Sequence, residues 1–434
     1  MLRLYNALLP AAALGAQLVA TWKPKLREAL RGRRDAVPRL LSRASALHAA
    51  AWFHSTSVGE YEQARPLVAL LRARRPQLEL LHTFSSPSGY GYASRLAEAH
   101  VEYLPPDDRR SVARVLDALH PRILVFVKFD LWPNLIAEAH RRAIPTLLVD
   151  ATLQPRSLRS RWPARALYRE LYARLTCISA VSEADAERFR ALVPQHPAIF
   201  VDGDTRFDQV VRRRREATRV PLPPSLCARP RPFTLIAGST WPPDESRLLP
   251  AWHRLCRDVA GEGARLILVP HEPTREHLEP LESRLRELGL GCVRLSHLEA
   301  TGALADVVLV DRVGVLAELY THADAAYVGG AFTTGVHNLM EPASVGLPVL
   351  FGPLHHNAPE AEMLLEAGAG GVIRSPADLE RQLQTLFRDT ETRARMGGWA
   401  RAFVEANLGA SERCLQRLVE ALEPARGQRP RSSA

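Results

Sequence analysis

Cysteine is scarce in this sequence and is never clustered. The 434-residue chain has five cysteines, none of them in a Cys-x-x-Cys pair or near a histidine at the spacing of a metal site. They are Cys177, Cys227, Cys256, Cys292 and Cys414. An odd number at irregular spacing argues against a disulfide framework and indicates reduced thiols in a cytosolic environment.

Two further absences narrow the class of protein. No segment is long or biased enough in composition for most of the chain to be disordered, and 46% hydrophobic with 24% charged residues is ordinary for a globular protein. The basic runs contain no interleaved aromatic residues, which a stacking surface for nucleic acid would need. The length predicts two or three domains.

The charge is one-sided. The formal net charge is +10, with basic runs at Arg31 to Arg34, at Val210 to Arg219 and in the C-terminal tail. Such an excess favours anionic partners, for example acidic lipid surfaces or phosphorylated substrates. Each run is also compatible with plain solvated surface, so charge alone leaves a membrane or phosphate role open.

The N-terminus has an uncharged stretch from Tyr5 to Trp22, followed by Lys23, Lys25 and Arg27. The stretch is marginally long enough to span a bilayer, and the basic flank would stay on the cytosolic side. A cleaved signal peptide fits less well, because the charges follow the apolar part. Residues 1–34 are therefore predicted to be a membrane anchor or interfacial helix with a basic flank, with an ordinary N-terminal helix as the alternative.

The rest of the chain predicts an α/β fold of two Rossmann-like domains, each a doubly wound parallel sheet. Six continuous apolar runs in the first half and seven in the second are separated by helical stretches, which is the pattern of buried parallel strands. The expected division is an N-terminal domain over 35–211, an Arg- and Pro-rich linker over 212–232, a C-terminal domain over 233–420 and a disordered basic tail over 421–434. Ligands of such sheets bind beyond the carboxyl ends of the strands, so a cleft between the two domains is expected.

The first candidate site is "HSTSVGEYEQARP", where a strand ends at His54 and a loop of small residues leads to Glu60. Loop N–H groups could hold an anion or sugar hydroxyls, and a partly buried Glu60 could act as a general base. The alternative is that Glu60 simply stabilises the first turn of a helix.

Two candidates open the second domain. The strand-ending turn Gly238-Ser239-Thr240 could approach a phosphate closely, although Ser and Thr are also common helix caps. His271 and Arg275 follow the next strand end, and a cation there suits a carboxylate or phosphate, although both could be plain surface charges.

The last candidate is "GVHNLMEPASVGLPVLFGPLHHN", Gly335 to Asn357. A helix is expected to begin near His337 or Asn338, so that its N–H groups and dipole face a phosphate. Glu341 would then lie one turn in and accept hydrogen bonds from a ribose diol. The alternative is a Glu paired with structural backbone.

Together with "HSTSVGE", "LWPNL" and "VDRVGVLAELY", this stretch resembles the bacterial 3-deoxy-D-manno-octulosonate (Kdo) transferases of lipopolysaccharide assembly. The motifs hold their order and spacing from the N-terminus to beyond residue 370. The resemblance implies an inverting GT-B glycosyltransferase that transfers Kdo from CMP-Kdo to a tetraacylated lipid A precursor. It also implies no metal or other cofactor, and a location on the cytoplasmic face of the inner membrane, in contact with its lipids.

The resemblance also assigns roles to residues. Glu60 is the implied base, and the other implied contacts fall into two sets. The donor set is Gly238, Ser239, Thr240, His271, Arg275, Gly335, His337, Asn338 and Glu341, and the acceptor or phosphate set is Ser57, Gly59, Asp130 and Arg206. The sequence departs from the common family pattern where it has one carboxylate, Asp130, before Leu-Trp-Pro, where Arg206 replaces a Lys, and where Val336 follows Gly335.

Two other functions stay open on the residues alone. Another GT-B enzyme, using a UDP-sugar and a lipid-linked acceptor, would share the glycine loops and the ribose-binding Glu. A non-catalytic basic protein that binds a membrane surface or nucleic acid would explain the charge without any chemistry, although the resemblance implies no nucleic-acid partner.

Overall fold

The computed structural model describes residues 1–155, 157–217, 222–227, 233–259, 263–303 and 305–423. The chain forms two compact units, and each is described by itself. Unit 1 contains Met1–Gln209 together with the chain from Leu408 onward, and unit 2 contains Val210–Asn407.

Unit 1 is built on a seven-stranded parallel sheet in the order β3-β2-β1-β4-β5-β6-β7. Its strands are β1 Ala51–Ser55, β2 Leu80–Phe84, β3 His100–Tyr103, β4 Ile123–Val127, β5 Thr146–Ala151, β6 Cys177–Ala180 and β7 Ile199–Val201. Its helices, to the point where the chain leaves the unit, are α1 Leu2–Ala20, α2 Pro24–Ser42, α3 Val58–Arg74, α4 Pro87–Leu96, α5 Arg109–Leu119, α6 Pro133–Arg141, α7 Ala164–Tyr172, α8 Glu183–Leu192 and α9 Thr205–Ala217, with a 3-10 turn at Leu158–Ser160.

The central strands are mostly apolar because helices cover both faces of the sheet. Every residue of β1, β2, β4 and β5 is buried. Two hydrophobic clusters lie on opposite faces, one containing Trp52 and Phe126 and the other containing Phe53 and Val125. The central strands therefore hold their carboxyl ends in fixed positions.

The N-terminal stretch forms α1, which hydrogen bonds attach to the body of unit 1. The Tyr5 hydroxyl donates to Asp107 at 2.9 Å, and the Asn134 amide donates to Asn6 at 2.7 Å. Burial raises the pKa of Asp107 to about 6. In the described part of the chain, no helix has the length and apolar character that crossing a membrane requires.

Unit 2 repeats the architecture with the order β10-β11-β9-β8-β12-β13-β14, again all parallel. Its strands are β8 Phe233–Thr240, β9 Ala264–Pro270, β10 Cys292–Arg294, β11 Val307–Leu309, β12 Ala325–Val328, β13 Val349–Phe351 and β14 Gly370–Val372. Its helices are α10 Pro224–Cys227, α11 Pro242–Asp258, α12 Arg275–Glu287, α13 Leu295–Thr301, α14 Leu316–Tyr320, α15 Met340–Ser344, α16 Pro359–Glu366, α17 Pro376–Arg388 and α18 Thr390–Ala406.

The two doubly wound parallel sheets confirm the predicted fold class, but the domain boundaries need correction. The last helix, α19 Ala410–Leu422, returns to unit 1, so the assignment of 233–420 to one domain is wrong at its end. Cys414, Leu415 and Leu418 are buried in one cluster with residues of β1, β4 and β5 and of α3, so α19 packs on that face of the sheet.

The predicted linker is also partly helical. Its first residues belong to α9, which continues from unit 1 into unit 2, and 224–227 form α10. The remainder of the 212–232 linker, at 218–221 and 228–232, and the predicted disordered tail beyond residue 423 lie outside the described residues. One strand, β3, was not among the six expected in the first half, because its four residues at the sheet edge are only partly apolar.

Replacing Leu418 with alanine is expected to destabilise unit 1 by about 2–5 kcal/mol, since the side chain is fully buried and its loss leaves a cavity. Hydrogen exchange of the β1 amides under native conditions measures this loss. Leu96→Ala, at a partly exposed position on α4, is the matched control and should change protection much less. Unchanged protection of β1 in the Leu418 variant would contradict the assignment of α19 to unit 1.

Candidate active site

Each sheet reverses its direction of winding at one place. In unit 1 the chain leaves β1 toward β2 on one side and leaves β4 toward β5 on the other, and in unit 2 the same divergence separates β8 from β12. The loops that follow the carboxyl ends of such neighbours move apart and leave a crevice in which ligands bind. The four strand ends therefore locate one candidate site in each unit.

Glu60 lies in the first turn of α3, directly after β1. The Ser57 hydroxyl accepts the Glu60 N–H at 3.4 Å and caps the helix, and the Glu60 carboxylate accepts the N–H of Thr56 at 2.5 Å. Glu60 thus resembles a capping-box glutamate, except that its donor is Thr56, one residue before the helix cap Ser57. The Glu60 side chain is only 5% exposed. A glutamate that merely stabilises the first turn of a surface helix is usually exposed to solvent.

Asp130, from the loop after β4, lies beside Glu60 in the same cluster of polar groups. It accepts hydrogen bonds from the Thr56 hydroxyl, from Trp132 Nε1 at 3.0 Å and from His54 Nε2 at 3.2 Å. Thr56 thus joins the two carboxylates, through its N–H to Glu60 and through its hydroxyl to Asp130.

The surroundings push the pKa values of the two carboxylates in opposite directions. Burial raises the pKa of Glu60, and the negative charge of Asp130 raises it further, while the Thr56 N–H works against both. Burial also acts to raise the pKa of Asp130, but the bonds from His54, Thr56 and Trp132 outweigh it and hold that pKa below its usual value. Asp130 is therefore the more readily ionised of the two carboxylates, and Glu60 is the better proton acceptor.

The other three residues of the implied acceptor set lie at two different strand ends of unit 1. Ser57 and Gly59 lie at the start of α3, where Ser57 is the helix cap and Gly59 has open space around its Cα. Arg206 lies after β7 in the first turn of α9, where its guanidinium pairs with Asp204 at 2.7 Å.

Sequence reasoning did not single out His54, Thr56 or Trp132, although their motifs were noted. His54 is fully buried, and Trp132 has the Arg33 guanidinium 4.0 Å above its ring. The sequence did contain a signal for His54 and Thr56. They are polar residues at the end of an otherwise apolar strand, and such residues face a crevice in this architecture.

In unit 2, Gly238, Ser239 and Thr240 belong to β8 and do not form the expected turn. A register shift against β9 places Ser239 in a left-handed conformation, with φ at +54°. A Cβ at Gly238 would come within 2.3 Å of the Tyr320 hydroxyl, so glycine is required there for packing. The Thr240 hydroxyl donates to Glu245 at 2.8 Å.

A buried carboxylate, Asp244, organises the loops after β8 and β12. It accepts the Trp241 N–H at 3.0 Å, the Gly330 N–H at 3.0 Å and the Tyr327 hydroxyl at 2.8 Å. Next to it, Gly329 passes so close to β8 that a Cβ would lie 2.4 Å from the Ser239 carbonyl oxygen. The loop that leads to His337 is thereby fixed against the end of β8.

Three rings gather at this edge. His271, exposed after β9, stacks on His337 with ring centroids 4.3 Å apart and lies 4.9 Å from the Trp241 ring. Trp241 Nε1 donates to His337 Nε2 at 3.0 Å. Arg275 is not part of this cluster in the described residues, since it is 81% exposed and pairs with Glu279 along α12.

The helix expected at His337 or Asn338 begins later, at Met340, and is only five residues long. Asn338 precedes it and accepts the Met340 N–H at 3.0 Å, as Asn often does before a helix. So short a helix offers little dipole to a phosphate, and that part of the prediction is wrong. Glu341 also has a partner, because Arg213 from α9 pairs with it at 3.0 Å.

Asn357 explains why Gly335 is glycine. Its side-chain amide accepts the Val336 N–H at 3.1 Å and donates to the Val336 carbonyl at 2.8 Å. These two bonds fix the loop segment that precedes His337. Gly335 has φ at +126°, and a Cβ there would meet the Asn357 amide at 2.4 Å.

Among the residues that the structure describes, no group of three or more His, Cys, Asp or Glu side chains is placed to hold a metal ion.

Comparison with known proteins identifies the family. A family model described as 3-deoxy-D-manno-octulosonic-acid transferase (kdotransferase) matches residues 27–209. The 3-deoxy-D-manno-octulosonic acid transferase of Bordetella pertussis is 31% identical over 394 residues, covering 86% of this chain and 88% of the relative. The protein of the same name from Haemophilus influenzae is 28% identical over 382 residues, covering 86% of both chains.

The chain belongs to the Kdo transferase family.

It is therefore a glycosyltransferase, and solved structures of low identity agree on its fold. UDP-GlcNAc 2-epimerase from Neisseria meningitidis superposes with a TM-score of 0.62 at 14% identity, covering 86% of this chain and all of that one. MurG from Acinetobacter baumannii gives a TM-score of 0.54 at 12% identity, covering 86% and 99%. Both likenesses concern the fold and carry no information on substrate.

Asp130→Asn is expected to lower the pKa of Glu60, because it removes a neighbouring negative charge. A reaction in which Glu60 accepts a proton needs its carboxylate ionised, so the acidic limb of kcat/KM against pH should move to lower pH. Losing a charged hydrogen-bond acceptor should also cost about tenfold in rate. The exposed Asp117→Asn serves as control, and an acidic limb that stays in place or moves upward would contradict the coupling of the two carboxylates.

Proposed function

We propose that this protein transfers Kdo from CMP-Kdo to a tetraacylated lipid A precursor in lipopolysaccharide biosynthesis. The observation that carries the proposal is the pair formed by Glu60, buried with a raised pKa, and Asp130, held ionised beside it at the switch point of unit 1. Membership of the Kdo transferase family supports the choice of sugar.

Glu60 acts as the general base in this proposal. It takes the proton of the acceptor hydroxyl as that oxygen attacks the anomeric carbon of Kdo. The bond between that carbon and the CMP phosphate oxygen breaks, CMP leaves with the electron pair, and the anomeric configuration inverts. A raised pKa makes the Glu60 carboxylate a stronger acceptor for the hydroxyl proton than an exposed glutamate would be.

Unit 2 binds the donor nucleotide. The ring cluster of Trp241, His271 and His337 offers a flat surface and N–H donors at the end of β8 and β9. Glu341 accepts the ribose hydroxyls while Arg213 keeps the carboxylate charged. The proposed mechanism uses neither a metal nor another cofactor.

Glu60→Gln tests the base directly. CMP release from CMP-Kdo, generated in situ with a lipid A precursor in detergent micelles, is expected to fall by about 10²–10⁴-fold, the usual contribution of general base catalysis. CMP affinity should stay unchanged, because Glu60 belongs to unit 1 and the nucleotide site is proposed in unit 2. Binding is measured in the same preparation by calorimetry.

The matched control is Glu79→Gln, an exposed glutamate of unit 1 at the opposite end of the sheet, which should keep full turnover. Full turnover by Glu60→Gln would contradict its role as base. Tight binding of UDP in place of CMP by the wild type would indicate a different nucleotide sugar.

We further propose that α1 lies in the cytoplasmic surface of the inner membrane. Its exposed side carries large apolar side chains along its whole length, although the opposite side is bonded to unit 1. These exposed residues are Leu4, Leu8, Leu14 and Leu18, and the exposed Trp22 follows the helix. The basic residues that follow α1 suit an anionic lipid surface.

Leu14→Ser with Leu18→Ser is expected to weaken binding to phosphatidylglycerol-containing vesicles by at least about tenfold, because each leucine loses part of its burial energy in the interface. Co-sedimentation measures the bound fraction. A double control, Val313→Ser with Met363→Ser, alters two exposed apolar residues of unit 2 and should leave binding intact. Equal loss in both double variants would contradict a specific role of α1.

A further inference from the structure

Trp241 occupies an unusual place in unit 2, with its backbone and its ring serving different tasks. Its backbone N–H is held by Asp244 and its carbonyl accepts the first N–H groups of α11, so the residue cannot shift without disturbing the start of that helix. Its indole ring then reaches His337, 96 residues further along the chain, and donates Nε1–H to His337 Nε2 at 3.0 Å.

The direction of this hydrogen bond is unambiguous. An indole nitrogen can only donate, whereas either imidazole nitrogen can donate or accept. His337 Nε2 must therefore be unprotonated, and the ring is the neutral tautomer with its proton on Nδ1. A protonated His337 would place two N–H groups against each other 3.0 Å apart and lose the bond.

The groups that face His337 are consistent with a neutral ring. His271 stacks on one face, and a Cβ at Gly330 would lie 2.8 Å from its Cδ2, so glycine at 330 leaves the room that the His337 ring occupies. Burial lowers the pKa of His337, the His271 charge lowers it further, and Asp244 opposes both. In the described part of the chain no protein group bonds to Nδ1, so that N–H is available to a ligand.

We infer that Trp241 is a positioning residue of the donor site, which fixes His337 as a neutral Nδ1–H donor for an oxygen atom of the bound cytidine nucleotide. The inference rests on the proposed function, in that the ligand is the donor nucleotide. His337 then recognises its ligand by a directed hydrogen bond and a stacking surface, and it does not act as a cation toward the phosphate.

Trp241→Phe removes the N–H and keeps an aromatic ring for the stack. On the full-length protein, nitrogen NMR of ¹⁵N-histidine reports the tautomer of His337, whose signals are assigned by their loss in His337→Gln. The wild type is expected to show the Nδ1–H form from pH 5.5 to 8. The Phe variant is expected to show both tautomers and to titrate in that range, because the bond that favours the neutral form is gone.

Calorimetry with CMP on the same proteins gives the functional reading. Trp241→Phe is expected to weaken CMP binding about three- to tenfold at pH 7.5, with the loss changing as pH falls toward 5.5. Comparing variant to wild type at each pH cancels the titration of the CMP phosphate itself. Added to His337→Gln, the Trp241 change should have no further effect, since it acts through that residue. Trp162→Phe, the same change at a tryptophan 86% exposed in unit 1, is the control.

Three results would overturn the inference. One is an Nε2–H tautomer of His337 in the wild type. Another is a Trp241→Phe variant whose CMP affinity and pH dependence match the wild type. The third is full additivity of the two single changes, which would show that Trp241 acts by itself. Failure of the wild type to bind CMP would instead refute the proposed donor, while the NMR would still decide whether Trp241 sets the tautomer.

Discussion

The closeness of two buried carboxylates at the end of β1 is the constraint on which the rest of the site depends. Two ionised carboxylates in one buried cluster repel each other, so the one with fewer hydrogen-bond donors has the higher pKa. Three donors, His54, Thr56 and Trp132, converge on Asp130 and leave Glu60 with a single backbone N–H. The sheet makes this possible because β1 and β4 are neighbours whose following loops part at that point. The resulting difference in proton affinity is what a general base needs.

Unit 2 uses a buried carboxylate for a different purpose. Asp244 bonds to backbone and hydroxyl donors from the loops after β8 and from β12, and so sets the path of the chain that carries His337. Glycine at 329, 330 and 335 allows the close approach that this path requires, since a Cβ at each would collide with a neighbour. In unit 1, burial and the Asp130 carboxylate thus raise the pKa of Glu60, whereas the Asp244 carboxylate of unit 2 fixes the loops that carry Trp241 and His337. Both do so where the winding of the sheet reverses.

Much of this could be predicted from the sequence, for physical reasons. Strands buried on both faces are mostly apolar, so most strands of both sheets were identifiable, and with them the polar segments that carry Glu60 and His337. What failed depended on contacts distant in sequence. The pattern of Leu415 and Leu418 predicts a buried helix face but not which sheet buries it, and α19 returned to unit 1. The bond that Trp241 makes to His337, 96 residues away, leaves no local signature.

The most direct test of the account is the mass of the lipid product. The purified protein would be incubated with CMP-Kdo, generated in situ, and a tetraacylated lipid A precursor, and the lipid would be weighed by mass spectrometry. The account predicts a gain of one or more whole Kdo residues, with CMP released in equal number. An unmodified lipid, from a protein that binds CMP normally, would contradict the proposed acceptor and with it the role given to the Glu60 and Asp130 pair.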